Sequence, residues 1–216
     1  MKPNVKYLIG IDEVGRGPLA GPVCVCSFII LKDNERRRSQ IKNRRLTQMG
    51  TKNFSMSVFS GVRDSKKLSA KKREEWFEKI KELKKEGIVN YKIAYVSNSE
   101  IDKIGISKSI QNAINKCLKN INPKTCRVLL DGGIKAPEKF LNQKTIIKGD
   151  EKEKVITLAS IIAKVSRDKI MCDFAKKYPQ YEFQKNKGYG TTEHIKKIKK
   201  YGPCKIHRKI YLKNIK

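Results

Sequence analysis

Short apolar segments alternate with longer amphipathic segments along most of this chain. Residues 7–12, YLIGID, form a short apolar run, and residues 22–31, PVCVCSFIIL, form a second run after a link rich in Gly and Pro. Both runs predict buried strands. Three further strands are predicted at 91–97, 126–133 and 144–149.

The amphipathic segments predict helices between these strands. Residues 69–87 begin with Ser69 as a cap and end with Gly87, and an apolar stripe at helical spacing lies between them. Further helices are predicted at 98–121 (a short helix and then a longer one), at 152–178 and at 191–202. An initial hairpin followed by alternating strands and helices indicates an α/β fold, with a mixed sheet covered by helices.

Residues 32–62 lack either periodicity. They carry eight basic and two acidic residues, with ERRRSQIKNRR at their centre. This segment is interpreted as an irregular basic insertion, which either binds backbone phosphates or forms a solvated loop.

The charge adds a partner to this picture. The 216 residues include 50 Lys and Arg against 21 Asp and Glu, a formal net charge of +29. Such an imbalance is typical of proteins that bind nucleic acid, although a biased composition rich in Lys and Ile also produces it.

The cysteines and the apolar runs indicate the compartment. The six cysteines do not show the paired spacing of a zinc site, so reduced structural thiols in a cytoplasmic protein are expected. The N-terminus does not resemble a signal peptide, and the apolar runs are too short to cross a membrane.

Acidic residues stand out at the ends of two predicted strands. Asp12 and Glu13 close the first strand and Asp131 closes the fourth, and glycines follow in both places. In α/β sheets chemistry usually takes place at this edge, although a lone Asp there is also a common turn former or helix cap.

A third acid lies in the long helix. Ser160, Lys164 and Asp168 are four residues apart and share one face of an otherwise apolar helix. Two interpretations are open: a structural salt bridge between Lys164 and Asp168, or a polar stripe that lines an active site.

Together the four carboxylates suit two Mg²⁺ or Mn²⁺ ions, which prefer oxygen ligands and which together cleave phosphodiesters. Since adjacent strand residues point to opposite faces, Asp12 and Glu13 both reach such ions only if the strand ends or bends there. The glycines that follow allow that bend.

The chain resembles the ribonuclease HII family, the bacterial type-2 ribonucleases H. The resemblance lies in IGIDEVGRGPLAGPV at 9–23, DSKKLS at 64–69, LLDGG at 129–133, ASIIAKVSRDKIM at 159–171 and KGYGTTEH at 187–194. It implies the ribonuclease H-like fold, with a five-stranded mixed sheet and a helical C-terminal extension. It also implies that Asp12, Glu13, Asp131 and Asp168 hold two divalent metals.

The same resemblance assigns the substrate contacts. Gly15, Arg16 and Gly17 match the family's Gly-Arg-Gly stretch, where the main chain senses the 2′-hydroxyl and the arginine contacts phosphate. Tyr189 matches the tyrosine that stacks near the sugar at a ribonucleotide–DNA junction.

Further family matches are less direct. Ser160 and Lys164 would lie by the scissile or an adjacent phosphate, and His207 and Arg208 match a basic C-terminal stretch. Asn186 stands where many relatives have His.

The implied activity is hydrolysis of the RNA strand of RNA–DNA hybrids, and cutting on the 5′ side of ribonucleotides embedded in duplex DNA. The expected chain is a monomeric, cytoplasmic single domain, with a catalytic core at about 1–184 and a basic extension at about 185–216. A type-3 ribonuclease H and a non-catalytic nucleic-acid-binding protein are the alternatives. The glycine and tyrosine motifs favour type 2, and four intact carboxylates argue against a mere binder.

Overall fold

A computed structural model describes residues 5–31, 56–62, 67–213 and 215. Most of the basic insertion, residues 32–55, and the DSK part of the DSKKLS motif lie outside the described residues. The end of the predicted insertion is ordered structure: Met56–Phe59 forms a 3-10 turn, and Phe59 and Val62 are buried in the core. The expectation of an irregular loop up to residue 62 is therefore wrong for its last residues.

The described residues form a five-stranded mixed sheet in the order β3-β2-β1-β4-β5. The strands are β1 (Tyr7–Val14), β2 (Val23–Leu31), β3 (Val89–Val96), β4 (Cys126–Asp131) and β5 (Gln143–Ile146). The β1–β2 and β2–β3 pairs are antiparallel, whereas the β1–β4 and β4–β5 pairs are parallel. The parallel pairs direct the carboxyl ends of β1 and β4 to one edge of the sheet.

Helices cover both faces of this sheet. They are α1 (Ala70–Lys85), α2 (Asn98–Ile104), α3 (Ile106–Leu118), α4 (Gly149–Lys152), α5 (Lys154–Lys177), α6 (Phe183–Asn186), α7 (Thr192–Tyr201) and α8 (Lys209–Leu212). Helices α1 and α5 pack on one face, and α2 and α3 on the other, so that two apolar clusters sandwich the sheet.

Alternation along β1 divides its side chains between these clusters. Ile9 and Ile11 belong to the α3 side, while Leu8 belongs to the α5 side. Gly10 also faces α5, since a Cβ there would lie 2.2 Å from the carbonyl carbon of Val155. This close approach brings α5 down onto the strand that ends in Asp12.

The C-terminal extension packs on a third apolar cluster, which includes Ala20, Met171, Tyr181, Phe183, Ile198 and Ile206. The extension therefore covers the link between β1 and β2. Among the described residues, no helix is both long and apolar enough to cross a membrane.

The predicted elements are confirmed, with different boundaries. Strand β1 continues two residues beyond Asp12, and β5 ends at Ile146, so Gly149 begins the short α4 instead of closing a strand. The split of 98–121 into two helices is correct, with Gly105 between them at φ 79°.

Candidate active site

Three acids meet at the carboxyl edge of the sheet. Asp12 and Glu13 lie in the last residues of β1, and Asp131 is the last residue of β4. The parallel β1–β4 pairing stops at Ile11 and Leu130. Beyond that point β1 extends past its neighbour, so Glu13 reaches the same cleft as Asp12 although the strand has not ended. The expected bend follows at Gly15, which has φ 97°.

Backbone and side-chain donors hold two of these carboxylates. Asp12 accepts from the N–H of Glu13 at 2.8 Å and also bonds the Ser160 side chain. Asp131 accepts from the N–H of Gly149 at 2.6 Å. The first turn after β5 therefore fixes Asp131, and α5 fixes Asp12.

The site concentrates negative charge in a buried place. Burial raises the pKa of Asp12 well above its usual value, and the charges of Glu13 and Asp131 raise it further. Burial also raises the pKa of Glu13, while Arg16, at 3.0 Å from Glu13 Oε1, opposes that shift. Such mutual repulsion is relieved by a cation.

The donor set fits a divalent metal. Glu13 Oε2 is buried, and none of the residues that the structure describes forms a hydrogen bond with it. An orphaned carboxylate oxygen beside two further carboxylates, with only oxygen ligands nearby, is the environment that Mg²⁺ and Mn²⁺ prefer. Within the described ranges, no three Asp, Glu, His or Cys side chains lie close enough together to hold a metal ion. The carboxylates of the cleft therefore do not converge on one point in this conformation.

Asp168 forms an ion pair at the border of the cleft that contains the other three acids. Lys164 donates to Asp168 at 2.9 Å, and both side chains are partly exposed. Ser160 and Lys164 line the cleft that contains Asp12, whereas Asp168 lines a neighbouring cleft. The polar stripe on α5 thus begins in one cleft and ends in the next.

The first cleft has a volume of about 320 Å³ and contains nine of the ten predicted site residues. These are Asp12, Glu13, Gly15, Arg16, Gly17, Asp131, Ser160, Lys164 and Tyr189, and Val14 and Arg73 complete the lining. Carboxylates, glycine main chain, basic side chains and one aromatic ring therefore face a common space.

A family model described as ribonuclease HII matches residues 9–214. A ribonuclease HII of Caldicellulosiruptor bescii is 43% identical over 215 residues, which cover 100% of this chain and 91% of that protein. This chain belongs to the ribonuclease HII family. Enzymes of this family are metal-dependent ribonucleases that cleave RNA in RNA–DNA hybrids and at embedded ribonucleotides.

Solved structures agree with the fold. The ribonuclease H2 of Pyrococcus horikoshii OT3 superposes with a TM-score of 0.67 at 25% identity, covering 97% of this chain and 96% of that one. Bst-RNase HIII in complex with Mn²⁺ superposes with a TM-score of 0.58 at 16% identity, covering 93% of this chain and 64% of that one. The five-stranded mixed sheet is therefore the ribonuclease H-like sheet.

Within this ribonuclease HII, Tyr189 is an exposed ring at the mouth of the cleft. Its side chain is 41% exposed, and the Arg167 guanidinium lies 5.8 Å from the ring centroid. Asn186 accepts from the N–H of Gly188 at 2.7 Å and donates to the carbonyl of Tyr181 at 2.6 Å. Asn186 thus shapes the turn that presents Tyr189.

Two residues of the basic C-terminal stretch are not surface cations. The side chains of His207 and Arg208 are 3% and 0% exposed, so neither is available to a phosphate. Arg208 donates to main-chain carbonyls of the Gly-Arg-Gly loop, and His207 contacts His194. Both side chains therefore form hydrogen bonds inside the protein and do not contribute to its basic surface.

Sequence reasoning missed Arg73, Arg167 and His194. Arg73 lines both clefts and donates to the carbonyl of Leu68. Arg167 bonds the carbonyls of Ala20, Pro22 and Lys187. In a chain with 50 basic residues, a single arginine carries little signal, and only its position in the fold reveals it.

Proposed function

We propose that this chain is an endonuclease that hydrolyses the RNA strand of RNA–DNA hybrids and cuts on the 5′ side of ribonucleotides embedded in duplex DNA. The observation that carries the proposal is the composition of the 320 Å³ cleft. Acids suited to divalent metals, a glycine loop suited to a 2′-hydroxyl and an exposed aromatic ring share that one space. Family membership supports the same reaction.

Two divalent ions, Mg²⁺ or Mn²⁺, would be held by Asp12, Glu13, Asp131 and Asp168. When bound, they supply the positive charge that acidifies a water molecule and stabilises the departing oxygen. The orphaned Glu13 Oε2 supports this assignment for the first three acids. For Asp168, the assignment requires that its ion pair with Lys164 be shared or exchanged.

The other residues of the cleft would bind and orient the nucleic acid. Lys164 contacts the scissile or adjacent phosphate as a point charge, and Arg16 contacts a neighbouring phosphate. Ser160 keeps Asp12 in place through its hydrogen bond and adds a hydroxyl on the phosphate side.

Two elements would read the sugar. Main-chain groups of Gly15, Arg16 and Gly17 hydrogen-bond the 2′-hydroxyl, which distinguishes RNA from DNA. Tyr189 packs its ring against the sugar at the ribonucleotide–DNA junction.

Hydrolysis then proceeds by in-line attack. The oxygen of water bonds to phosphorus and its proton passes to solvent, the bond to the 3′-oxygen breaks, and that oxygen takes up a proton from solvent. The products are a 3′-hydroxyl and a 5′-phosphate.

The chain would act as one monomeric catalytic unit. Every residue assigned above comes from a single chain, and the extension at about 185–216 packs against the core at about 1–184. All six cysteines are free thiols, which suits the reducing cytoplasm. The basic surface supports binding to the nucleic-acid backbone.

One assay tests the proposal. A DNA duplex with a single ribonucleotide and a uniform RNA–DNA hybrid are incubated with the protein and Mg²⁺ or Mn²⁺, and a chelator serves as the control. Cleavage of both substrates, with a 3′-end that a DNA polymerase extends, is the expected result. Cleavage of the hybrid alone would favour a type-3 activity, and binding without cleavage would reduce the protein to a nucleic-acid binder.

A further inference from the structure

Arg208 is a buried cation that donates hydrogen bonds to three main-chain carbonyls and also bonds the Tyr211 side chain. Its Nη2 donates to Gly15 at 2.6 Å, its Nη1 to Arg16 at 2.8 Å and its Nε to Gly21 at 3.0 Å. Burial and the nearby Arg167 lower the pKa of Arg208 to about 10, so it stays protonated at neutral pH. Burying a cation is costly without such bonds. The buried charge of Arg208 is therefore stable only while the loop keeps these carbonyls in place.

The bonds from Arg208 orient the Gly-Arg-Gly loop. In a trans peptide the N–H points away from the carbonyl of the same unit, and the described residues contain no cis peptide. The carbonyls of Gly15 and Arg16 point to Arg208, so the N–H groups of Arg16 and Gly17 point away from it. Neither N–H donates to an acceptor in the described part of the chain. Both N–H groups are therefore oriented to donate to a 2′-hydroxyl.

The neighbouring residue, His207, is connected to Tyr189 by a one-way chain of hydrogen bonds. His194 Nδ1 lies 2.7 Å from the carbonyl oxygen of Tyr189, which only accepts, so Nδ1 carries the proton. His194 Nε2 then accepts from His207 Nε2 at 3.1 Å, and His207 Nδ1 accepts from the N–H of Cys204 at 2.9 Å. Burial lowers the pKa of both histidines, which keeps them neutral.

The two chains of contacts start from consecutive residues. Arg208 also donates its own N–H to the carbonyl of Leu19 at 2.8 Å, and His207 forms a β-bridge with Ala20. Leu19 in turn donates to the carbonyl of Gly188 at 2.8 Å, next to Tyr189. The dipeptide thus lies between the glycine loop and the tyrosine turn and contacts both.

We propose that His207 and Arg208 are specificity-determining positioning residues, which fix the Gly-Arg-Gly loop and Tyr189 relative to each other so that both read the same ribonucleotide. The inference rests on the proposed function, because it concerns the two elements assigned there to the sugar. Both residues are buried, so neither is exposed to a substrate in the cleft. Their effect is therefore on the choice of substrate more than on the chemical step.

The experiment compares the catalytic efficiency, kcat/KM, on a duplex with one ribonucleotide with that on a uniform hybrid. A uniform hybrid can bind in many registers, so it tolerates a misplaced Gly-Arg-Gly loop or Tyr189. A duplex with a single ribonucleotide can be cut in only one register. Arg208→Lys keeps the charge, but its single nitrogen cannot take the three separate positions of Nε, Nη1 and Nη2 that bond the three carbonyls. The single-ribonucleotide to hybrid ratio should therefore fall at least about tenfold. His207→Phe, which keeps a ring but loses the donor, should also lower the ratio. His207→Gln, which keeps a donor, should restore much of it.

A matched control comes from the same buried cluster. Tyr181→Phe removes the hydrogen bond from the Tyr181 hydroxyl to the carbonyl of Gly202, at 2.6 Å. It changes no hydrogen bond to the Gly-Arg-Gly loop or to Tyr189. Tyr181→Phe should leave the single-ribonucleotide to hybrid ratio unchanged, although it should lower thermal stability about as much as the Arg208 and His207 variants do. Tyr211→Phe, on a partly exposed residue, removes the hydroxyl that donates to the carbonyl of Arg16 at 3.0 Å and that also bonds Arg208. It gives a variant with little risk of misfolding and should lower the ratio by about twofold to fivefold.

The outcomes separate the two proposals. Wild-type protein that cleaves neither substrate would overturn the proposed function. Wild-type protein that cleaves both, with variants that lower both efficiencies equally or with a Tyr181→Phe ratio that falls as far, would overturn only the positioning role. If Arg208→Lys does not fold, the His207 pair and Tyr211→Phe decide the question by the same ratio.

Discussion

Lys164 donates to Asp168 at 2.9 Å, one helical turn apart on α5, and this pair joins two clefts. Lys164 lines the cleft of the three acids, and Asp168 lines the neighbouring one. The predicted salt bridge is therefore present, and Lys164 also lines a cleft; that this stripe lines an active site stays a prediction. A partly exposed ion pair contributes little to the free energy of unfolding. The pair is therefore expected to affect activity, through its position beside the acids, more than stability.

Lys164→Met is expected to lower the cleavage rate by about 10-fold to 100-fold, because a charged contact to phosphate is lost. The free energy of unfolding should fall by less than about 1 kcal/mol. Kinetics and urea denaturation measure the two effects. Lys176→Met is the matched control, since it breaks the exposed Lys176–Asp173 pair on the same helix. Equal activity in both variants would reduce Lys164 to a structural residue.

Asp12→Asn and Asp131→Asn are each expected to lower cleavage on the order of a thousandfold or more, while binding of the hybrid changes little. Each substitution removes a proposed metal ligand, whereas the basic surface that holds the phosphates remains. Single-turnover kinetics and fluorescence anisotropy measure the two quantities. Asp173→Asn, at an exposed acid, is the control. Near-normal turnover in either variant would contradict the metal assignment.

The fold was predictable because its signals are local. Alternating or continuous apolar runs identify strands, and acids before glycines identify the strand ends where Asp12 and Asp131 lie. Tyr189, between two glycines, has no apolar stripe to join, and its exposure followed from that. These features need only neighbouring residues, so the sequence alone reveals them.

The supports of the site were not predictable, because they depend on distant residues. Arg208 and Gly15 are 193 positions apart, and nothing local to either indicates that one binds the other. Which cleft Asp168 lines depends on how α5 lies on the sheet. Gly10 permits that approach, but its effect appears only when Val155 is packed against it.

The C-terminal extension is expected to add to backbone binding through its exposed lysines. Complete removal of residues 192–216 would also remove His194, His207 and Arg208 from the interior, so it does not isolate charge. Replacing Lys199, Lys200 and Lys209 with Gln leaves the buried residues intact. The slope of log binding constant against log salt should become shallower by up to about three units.

The control for this charge prediction uses three exposed lysines at the amino end of β4, away from the cleft. They are Lys116, Lys119 and Lys124. Their replacement with Gln should leave the salt slope nearly unchanged. Equal slopes for the two triple variants would mean that the charge of the extension is only solvated surface.

The buried histidine pair predicts a loss of stability in acid. Burial and the neighbouring His194 lower the pKa of His207 to about 4, below its usual value near 6.5. The unfolded chain therefore binds a proton first as the pH falls. The contribution to stability is complete above pH 6.5 and is lost between about pH 6.5 and 4, by up to about 3 kcal/mol. Urea denaturation at several pH values measures this loss. His207→Gln should flatten the pH dependence over that interval, and an equally steep curve for the variant would assign the loss to other groups.

Tyr189 is expected to act through its ring face. Tyr189 is 41% exposed and lines the cleft, and the Arg167 guanidinium lies 5.8 Å from its ring centroid. Tyr189→Ala removes the surface that would stack on the sugar, so it should lose most activity on a single embedded ribonucleotide. Tyr189→Phe keeps the ring and should keep much of that activity. On a uniform hybrid, which offers alternative registers, Tyr189→Ala should cost less. The measurement is the ratio of cleavage efficiencies on the two substrates for the wild type and both variants. If the Ala variant lowers both substrates equally, Tyr189 is a general positioning or folding residue. If the Phe variant is as poor as the Ala variant, the hydroxyl carries the effect and the stacking role is wrong.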